Sequence, residues 1–430
     1  MIPQFLFLTG GGGSDGTVTR ILKSRHDKQF TEIFLSGVHV DRPIVQAILD
    51  ILKNGKRWEG LHMSQCTGMV HDLIQHSSPF VSKLSILCDF HRMERSSCRS
   101  LSRGLQNPSC RLTKLMLRIQ LSHDLATCLC EGLSAEHCQL EELVLPISNA
   151  SLKSILLLSV AFRQCKTLTK LKLNRHDLVW TIDPCQIVIL MKSLKDHPSL
   201  KELSIQGSSC DEIGIRAISD CVVGNLEKLD LSNHRFGGAR LHGMTKLTTS
   251  LRRKHNNNLR LLSLSGHRLM ESDVLDLASA MADNNSRIED LSLMNCQLSD
   301  ESIVVLANFL PRIRDLKYLW LHDNPFGQTG SSALLVSLQQ NWELEQLLLP
   351  RGRGLDDMQR QIEFLLALNR AGRRLLRTTS HTIPLSLWPK VLGRASKKTR
   401  QTYCYYGNNQ QGFHADAIFH LLKGPALFER

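Results

Sequence analysis

Apolar residues recur along this chain as short alternating bursts, separated by longer segments with a helical period. The pattern is clearest at Leu316–Asn324 (LKYLWLHDN). There Leu316, Leu319 and Leu321 follow the spacing L-x-x-L-x-L, and Asn324 comes three positions after the last leucine. Such alternation predicts a half-buried strand. Pro325, Phe326 and Gly327 then turn the chain, and Ser332–Leu338 (SALLVSL) has the spacing of a short amphipathic helix. One strand, one turn and one helix cannot bury an apolar face alone, so the unit has to recur.

It does. Strands are predicted to start at Phe30, Trp58, Val81, Leu112, Leu140, Leu168, Leu200, Leu226, Leu259, Ile288, Leu316 and Leu344. The mean period is about 28.5 residues, at the long end of the range for leucine-rich repeats. Long repeats leave room for outer α-helices, expected at Leu152–Arg163, Gln186–Lys195, Gly214–Cys221, Asp273–Ala282, Ser302–Leu310 and Ser331–Gln339. The copies LEKLDLSNHRFG (Leu226–Gly237), LRLLSLSGHRL (Leu259–Leu269), IEDLSLMNCQLSD (Ile288–Asp300) and LKYLWLHDNPFG (Leu316–Gly327) resemble the ribonuclease-inhibitor-like family of leucine-rich-repeat proteins. The resemblance covers about Phe30 to Leu355, or about 12 repeats, and the copies before Leu112 are degenerate. It implies an α/β solenoid, a horseshoe with an inner parallel β-sheet, outer helices and a C-terminal helical cap.

Three segments follow from this reading. Residues 1–29 are a flexible or partly ordered N-terminal segment, 30–355 the solenoid, and 356–430 a helical cap with a basic tail. Met358–Asn369 has an apolar face suited to closing the array, whose last repeat otherwise shows leucines to water. Gly11-x-Gly13-x-x-Gly16 matches a dinucleotide-binding fingerprint, but no βαβ unit follows, so a glycine linker is expected. Longer spacings place extra residues at His91–Arg99, Trp180–Pro184 and Arg252–Asn258, where edge loops are expected.

Composition narrows the class. Aromatics make up only 5% of the chain, in keeping with a leucine core, and the 13 cysteines lack the paired spacing of a small secreted scaffold. No run of about 18 apolar residues predicts a membrane span. The first residues also lack the basic region of a signal peptide. The expected setting is intracellular, in cytoplasm or nucleus. The net charge of +13 is concentrated at one end, with twelve Lys/Arg against three acids between Arg351 and Arg400.

Candidate chemistry is sparse. The ninth repeat position reads Cys66, Gln120, Ser148, His176, Ser208, His234, His267, Cys296 and Asn324. Its histidines are expected to be neutral and to hydrogen-bond the turn backbone as asparagine does. Cys128, Cys130, His137 and Cys138 lack the spacing of a zinc site and are expected to be packed thiols. No phosphate-loop, H-E-x-x-H or G-x-S-x-G motif occurs. No catalytic residue, cofactor or metal is predicted.

The third, fifth and seventh positions of each repeat project onto the inner face. Toward the C-terminal end they include Met294, Tyr318, Trp320, His322 and Leu348, and in the middle Lys170 and Lys172. These seven are the expected protein-binding residues, because aromatic anchors dominate interface energies. The opposing expectation is that the tail covers Tyr318 and Trp320 with Trp388 and Phe413. The leading functional expectation is a non-enzymatic protein-binding scaffold, monomeric, using the concave face for an unnamed protein partner. One alternative is a substrate-recognition subunit of a ubiquitin ligase. Members of the class often serve that way behind an F-box, and the stretch before Phe30 is too short for its three helices. Another is binding of acidic partners or nucleic acid through Arg373, Arg374, Arg377, Lys397, Lys398 and Arg400. Aromatics do not interleave with those residues, so nucleic acid is not expected. A GTPase-activating protein of the Ran type tends to have an acidic tail, and a ribonuclease inhibitor itself should be acidic; this chain is basic.

Overall fold

The computed structural model describes residues 4–9, 30–54, 58–147, 150–174, 183–207, 212–222, 225–233, 243–252, 258–283, 286–350 and 356–371. The chain divides into two compact units, residues 1–229 and 230–430.

In the first unit, strands β1 (Gln4–Thr9), β2 (Phe30–Ser36), β4 (Trp58–Ser64), β6 (Val81–Arg92), β7 (Lys114–Gln120), β8 (Glu142–Pro146), β9 (Lys170–Asn174), β10 (Glu202–Ser204) and β11 (Lys228–Asp230) lie side by side in that order. Asp230 already belongs to the second unit. The short strands β3 (His39–Val40) and β5 (Thr67–Gly68) pair separately. Between the strands run helices α1 (Arg42–Asn54), α2 (Val70–Ser77), α3 (Arg95–Gln106), α4 (His123–Leu133), α5 (Leu152–Gln164), α6 (Pro184–Leu194) and α7 (Glu212–Val222). The second unit holds β12 (Leu261–Ser263), β13 (Asp290–Ser292), β14 (Tyr318–Trp320) and β15 (Gln346–Leu348), paired in order and parallel. Its helices are α8 (Met244–Leu251), α9 (Glu271–Ala282), α10 (Asp300–Phe309), α11 (Gln328–Gln340) and α12 (Asp356–Ala371). Strand and helix alternate throughout, which is the leucine-rich-repeat fold.

The repeat leucines explain the register. Leu143 lies opposite Leu171, which lies opposite Leu203; Leu291, Leu319 and Leu347 form the same row in the second unit. All six are buried. Sliding one strand by a single residue would turn its leucines onto the open face, so the apolar pattern alone locks the pairing. Four helix starts carry side-chain caps: Ser122, Ser151, Asp183 and Ser299 each accept a hydrogen bond from a backbone N–H of the first turn. After the last strand, α12 buries Ile362, Leu366, Ala367 and Leu368.

Several expectations change. Gln4–Thr9, read as part of a glycine-rich linker, is a strand paired in parallel with β2. Its sequence QFLFLT alternates as FTEIFLS does, a signal masked in the sequence by the run of glycines that follows. His91–Arg99 is not an edge loop. His91 and Arg92 end the long strand β6, whose register shifts between Leu87 and Arg92, and Arg95 opens α3. The strands before Leu112, degenerate in sequence, still pair in parallel as the later ones do. Helices α1 to α3 and α8 are not among the expected elements, whereas α4 carries Cys128 and Cys130 on a helix as expected. In α3 (RSSCRSLSRGLQ) the reason is visible: Ser97, Ser100 and Ser102 are buried, and Ser102 donates to Glu131 on α4 at 3.0 Å. A serine-rich helix held by neighbouring helices lacks the apolar stripe a sequence reading looks for. Among the described residues, no helix is long and apolar enough to cross a membrane.

Candidate functional site

Opposite the leucine rows, the outward side chains of each sheet form cross-strand rows. In the first unit, one row runs Phe5, Glu32, Gly60, Lys83, Lys114, Glu142, Lys170, Glu202. It is a ladder of ion pairs. Glu142 is held by Lys114 at 2.9 Å and Lys172 at 3.4 Å. Glu202 is held by Lys170 at 3.3 Å and Lys228 at 2.9 Å. Burial opposes ionisation of Glu142 and Glu202, but the paired ammonium groups outweigh it and keep both carboxyls below their ordinary range. Glu32 reaches Lys83 at 3.0 Å across the intervening strand β4. That reach is possible because β4 has Gly60 at the crossing point. A Cβ there would meet His62 Nε2 at 2.9 Å and the Glu32 side chain at 3.4 Å.

Beside this ladder lies an aromatic stack that the sequence reading missed. Phe7 stacks on Phe34 with ring centroids 4.9 Å apart, and Phe34 on His62 at 4.1 Å and 7°. Phe5 packs edge-on against Phe34. Phe7, Phe34 and His62 stand at paired positions of β1, β2 and β4, one strand spacing apart. His62 also contacts Glu32 at 3.3 Å. Burial lowers its pKa, the Lys83 charge adds to that effect, and Glu32 works against both.

In the second unit the equivalent face begins with hydroxyls. Ser232 donates to Asp230, Ser232 and Ser263 are 2.8 Å apart, Ser263 and Ser265 3.3 Å, and Ser265 and Ser292 2.7 Å. Each hydroxyl has one proton. With that of Ser232 directed at the carboxylate, the chain polarises toward Asp230 from Ser292 inward. Next to it, the Trp320 indole N–H donates to Asp290 Oδ1 at 2.7 Å. Tyr318, Trp320, His322, Met294 and Leu348 are all half-buried, and Trp320 lies opposite both Ser292 and Leu348. Burial lowers the pKa of His322, with Asp323 opposing, which favours the neutral ring.

The expected binding residues therefore fall into two groups. Tyr318, Trp320, His322, Met294 and Leu348 share the face of the second unit. Lys170 and Lys172 belong to the first, where both are tied into ion pairs. Arg373, Arg374, Arg377, Lys397, Lys398 and Arg400 lie outside the described residues, as do Trp388 and Phe413. Val144 and Pro146, expected on the open face, are buried.

The ninth-position residues serve the turns. Asn324 accepts from the N–H groups of Cys296 and Leu298 and donates to the carbonyls of Leu293 and Leu321. His267, 1% exposed, meets the Leu231 carbonyl at 2.7 Å through Nε2, and the Cys296 thiol donates to the Leu264 carbonyl. Ser148, His176, Ser208 and His234 lie outside the described residues. The suspected zinc ligands do not converge: Cys128 is buried in α4, His137 is exposed, and Cys138 is buried beyond the end of that helix. Among the described residues, no group of three or more metal-binding side chains occurs.

No family model matches the chain. It is similar to the ribonuclease inhibitor of Mus musculus, at 25% identity over 55% of this chain and 63% of that protein. The ribonuclease inhibitor of Sus scrofa is 29% identical over 59% of this chain and 55% of that protein. The NACHT, LRR and PYD domains-containing protein 14 of Homo sapiens is 22% identical over 66% of this chain and 30% of its own length. The chain spans less than two thirds of each of these relatives.

Proposed function

Because the chain is a ribonuclease-inhibitor-like leucine-rich-repeat protein, we propose that it is a non-enzymatic scaffold that captures a protein partner on the open sheet face of its second unit. The observation that carries this reading is Trp320. Its ring stands half-buried among Tyr318, Met294 and Leu348, and its indole N–H is already satisfied by Asp290. A large aromatic held in one orientation loses little conformational freedom when a partner covers it, and such residues supply most of the energy at interfaces. The relatives by name include inhibitors of an enzyme, a role exercised by binding a protein. The basic balance of this chain argues for a different partner from a basic ribonuclease.

The test is affinity capture from cell extract followed by mass spectrometry, comparing the full chain with Trp320→Ala. Loss of a captured protein is expected, with stability lowered by no more than about 1 kcal/mol, the worth of one hydrogen bond. Unchanged capture would reject the reading. A fall of several kcal/mol would instead mean that Trp320 is covered by the chain's own tail.

A further inference from the structure

Among the described residues, the ion pairs on the open face of the first unit hold more lysines than carboxylates. Among its described outward positions, Lys83, Lys114, Lys170, Lys172 and Lys228 pair with three carboxylates, Glu32, Glu142 and Glu202. Glu142 and Glu202 are each shared by two lysines, so each triad keeps one surplus positive charge. Depth matters as much as number. Lys170, Lys172 and Lys228 are 43%, 40% and 48% exposed, whereas Glu142 and Glu202 are 15% and 21% exposed. The cations stand toward an approaching molecule and the anions sit beneath them. An ammonium has three N–H donors, and the contact with glutamate uses only part of that capacity.

From this charge complementarity we infer that the Lys114–Glu142–Lys172 and Lys170–Glu202–Lys228 triads form a second docking surface, whose partner is an acidic polypeptide segment. Lysines on β7, β9 and β11 occupy alternate strands, about 10 Å apart. A polyproline-II segment with acids three residues apart matches that interval on one face, at about 3.1 Å per residue and about three residues per turn. So does a helix with acids seven apart, at about 10.5 Å. Glu142 and Glu202 separate the cations. A nucleic-acid backbone, charged at every nucleotide, places phosphates against those carboxylates, whereas a polypeptide can set neutral residues there. The observations thus favour a protein. This surface is independent of Trp320, so either reading can fail alone.

The experiment measures binding of fluorescent poly-L-glutamate to the full chain at low salt. Lys170→Gln with Lys172→Gln should weaken binding about tenfold, since exposed pairs contribute up to about 1 kcal/mol each. Glu142→Gln should tighten it severalfold, because it removes a competing carboxylate; a purely structural role for Glu142 predicts no gain. Changing the six basic tail residues Arg373, Arg374, Arg377, Lys397, Lys398 and Arg400 to Gln should leave most of the binding intact, and Trp320→Ala should leave all of it. The inference is overturned if poly-L-glutamate does not bind, if only the tail variant abolishes binding, or if Glu142→Gln does not tighten it. It is also overturned if oligouridylate of equal charge binds more tightly through Lys170 and Lys172. Should the double lysine variant unfold, the Glu142→Gln arm decides.

Discussion

His197 shows how a single side chain closes a repeat. Its Nε2 donates to the Cys165 carbonyl at 2.7 Å, and its Nδ1 accepts from the Leu200 N–H at 3.1 Å. Asn341 makes the same closure farther along, donating to the Leu310 carbonyl and accepting from Leu344. Only the neutral imidazole can donate on one side and accept on the other. Burial accordingly lowers the His197 pKa below 6.5, against the pull of the carbonyls. The sign follows: in the unfolded chain this ring binds a proton more readily, so its stabilising contribution is complete above about pH 6.5 and is lost as pH falls through the lower folded value. His197→Asn should preserve stability at neutral pH and shrink the acid-side loss in urea titrations run between about pH 7 and pH 5. His197→Leu should cost about 2 kcal/mol near neutral pH, because two buried backbone groups lose their partner, and less at acid pH, where the histidine's own contribution is lost. The sequence reading anticipated a backbone-bonding role for the turn residues His267, Cys296 and Asn324. It missed His197 and Asn341, which carry no motif and whose partner carbonyls lie about one repeat earlier in the chain.

At the scale of the element, alternation decided most of what was legible. Leucine spacing located twelve strands among the described residues from Phe30 onward, β2, β4 and β6 through β15, and passed over only the short β3 and β5 pair. It placed five of the six predicted outer helices within two residues at each boundary except where Gln328 begins α11 early. What it could not supply was cross-strand chemistry. Glu32 and Lys83 meet only because the strand between them has no side chain at Gly60. Gly60→Val should break that bridge, displace His62 from Phe34 and destabilise the chain by roughly 1 kcal/mol in equilibrium denaturation, the upper range for a partly exposed pair. Leu319→Ala, within the fully buried leucine row, should cost about 2–5 kcal/mol by the same measurement, since the repeat cannot collapse around the cavity. The contrast between the two values separates what holds the fold from what decorates its face.

For the molecule as a whole, each repeat buries its leucines only against its neighbours, so an array must be closed where it stops. Helix α12 does this in the second unit, with Asn369 donating to the carbonyls of Asn341 and Leu344. Deleting residues 356–430 should lower the thermal midpoint and raise binding of an apolar dye, while single replacements on the open faces should leave dye binding unchanged. By itself, the sequence determined the repeat length, the leucine rows and the parallel α/β architecture, because those depend on a local period that any repeat displays. Only the tertiary structure decided which lysine neutralises which glutamate, that Phe7, Phe34 and His62 stack, and that Trp320 rests on Asp290. The physical reason is distance: residues about one repeat apart in the chain become neighbours at about 4.8 Å across the sheet, and nothing in either local segment records the other.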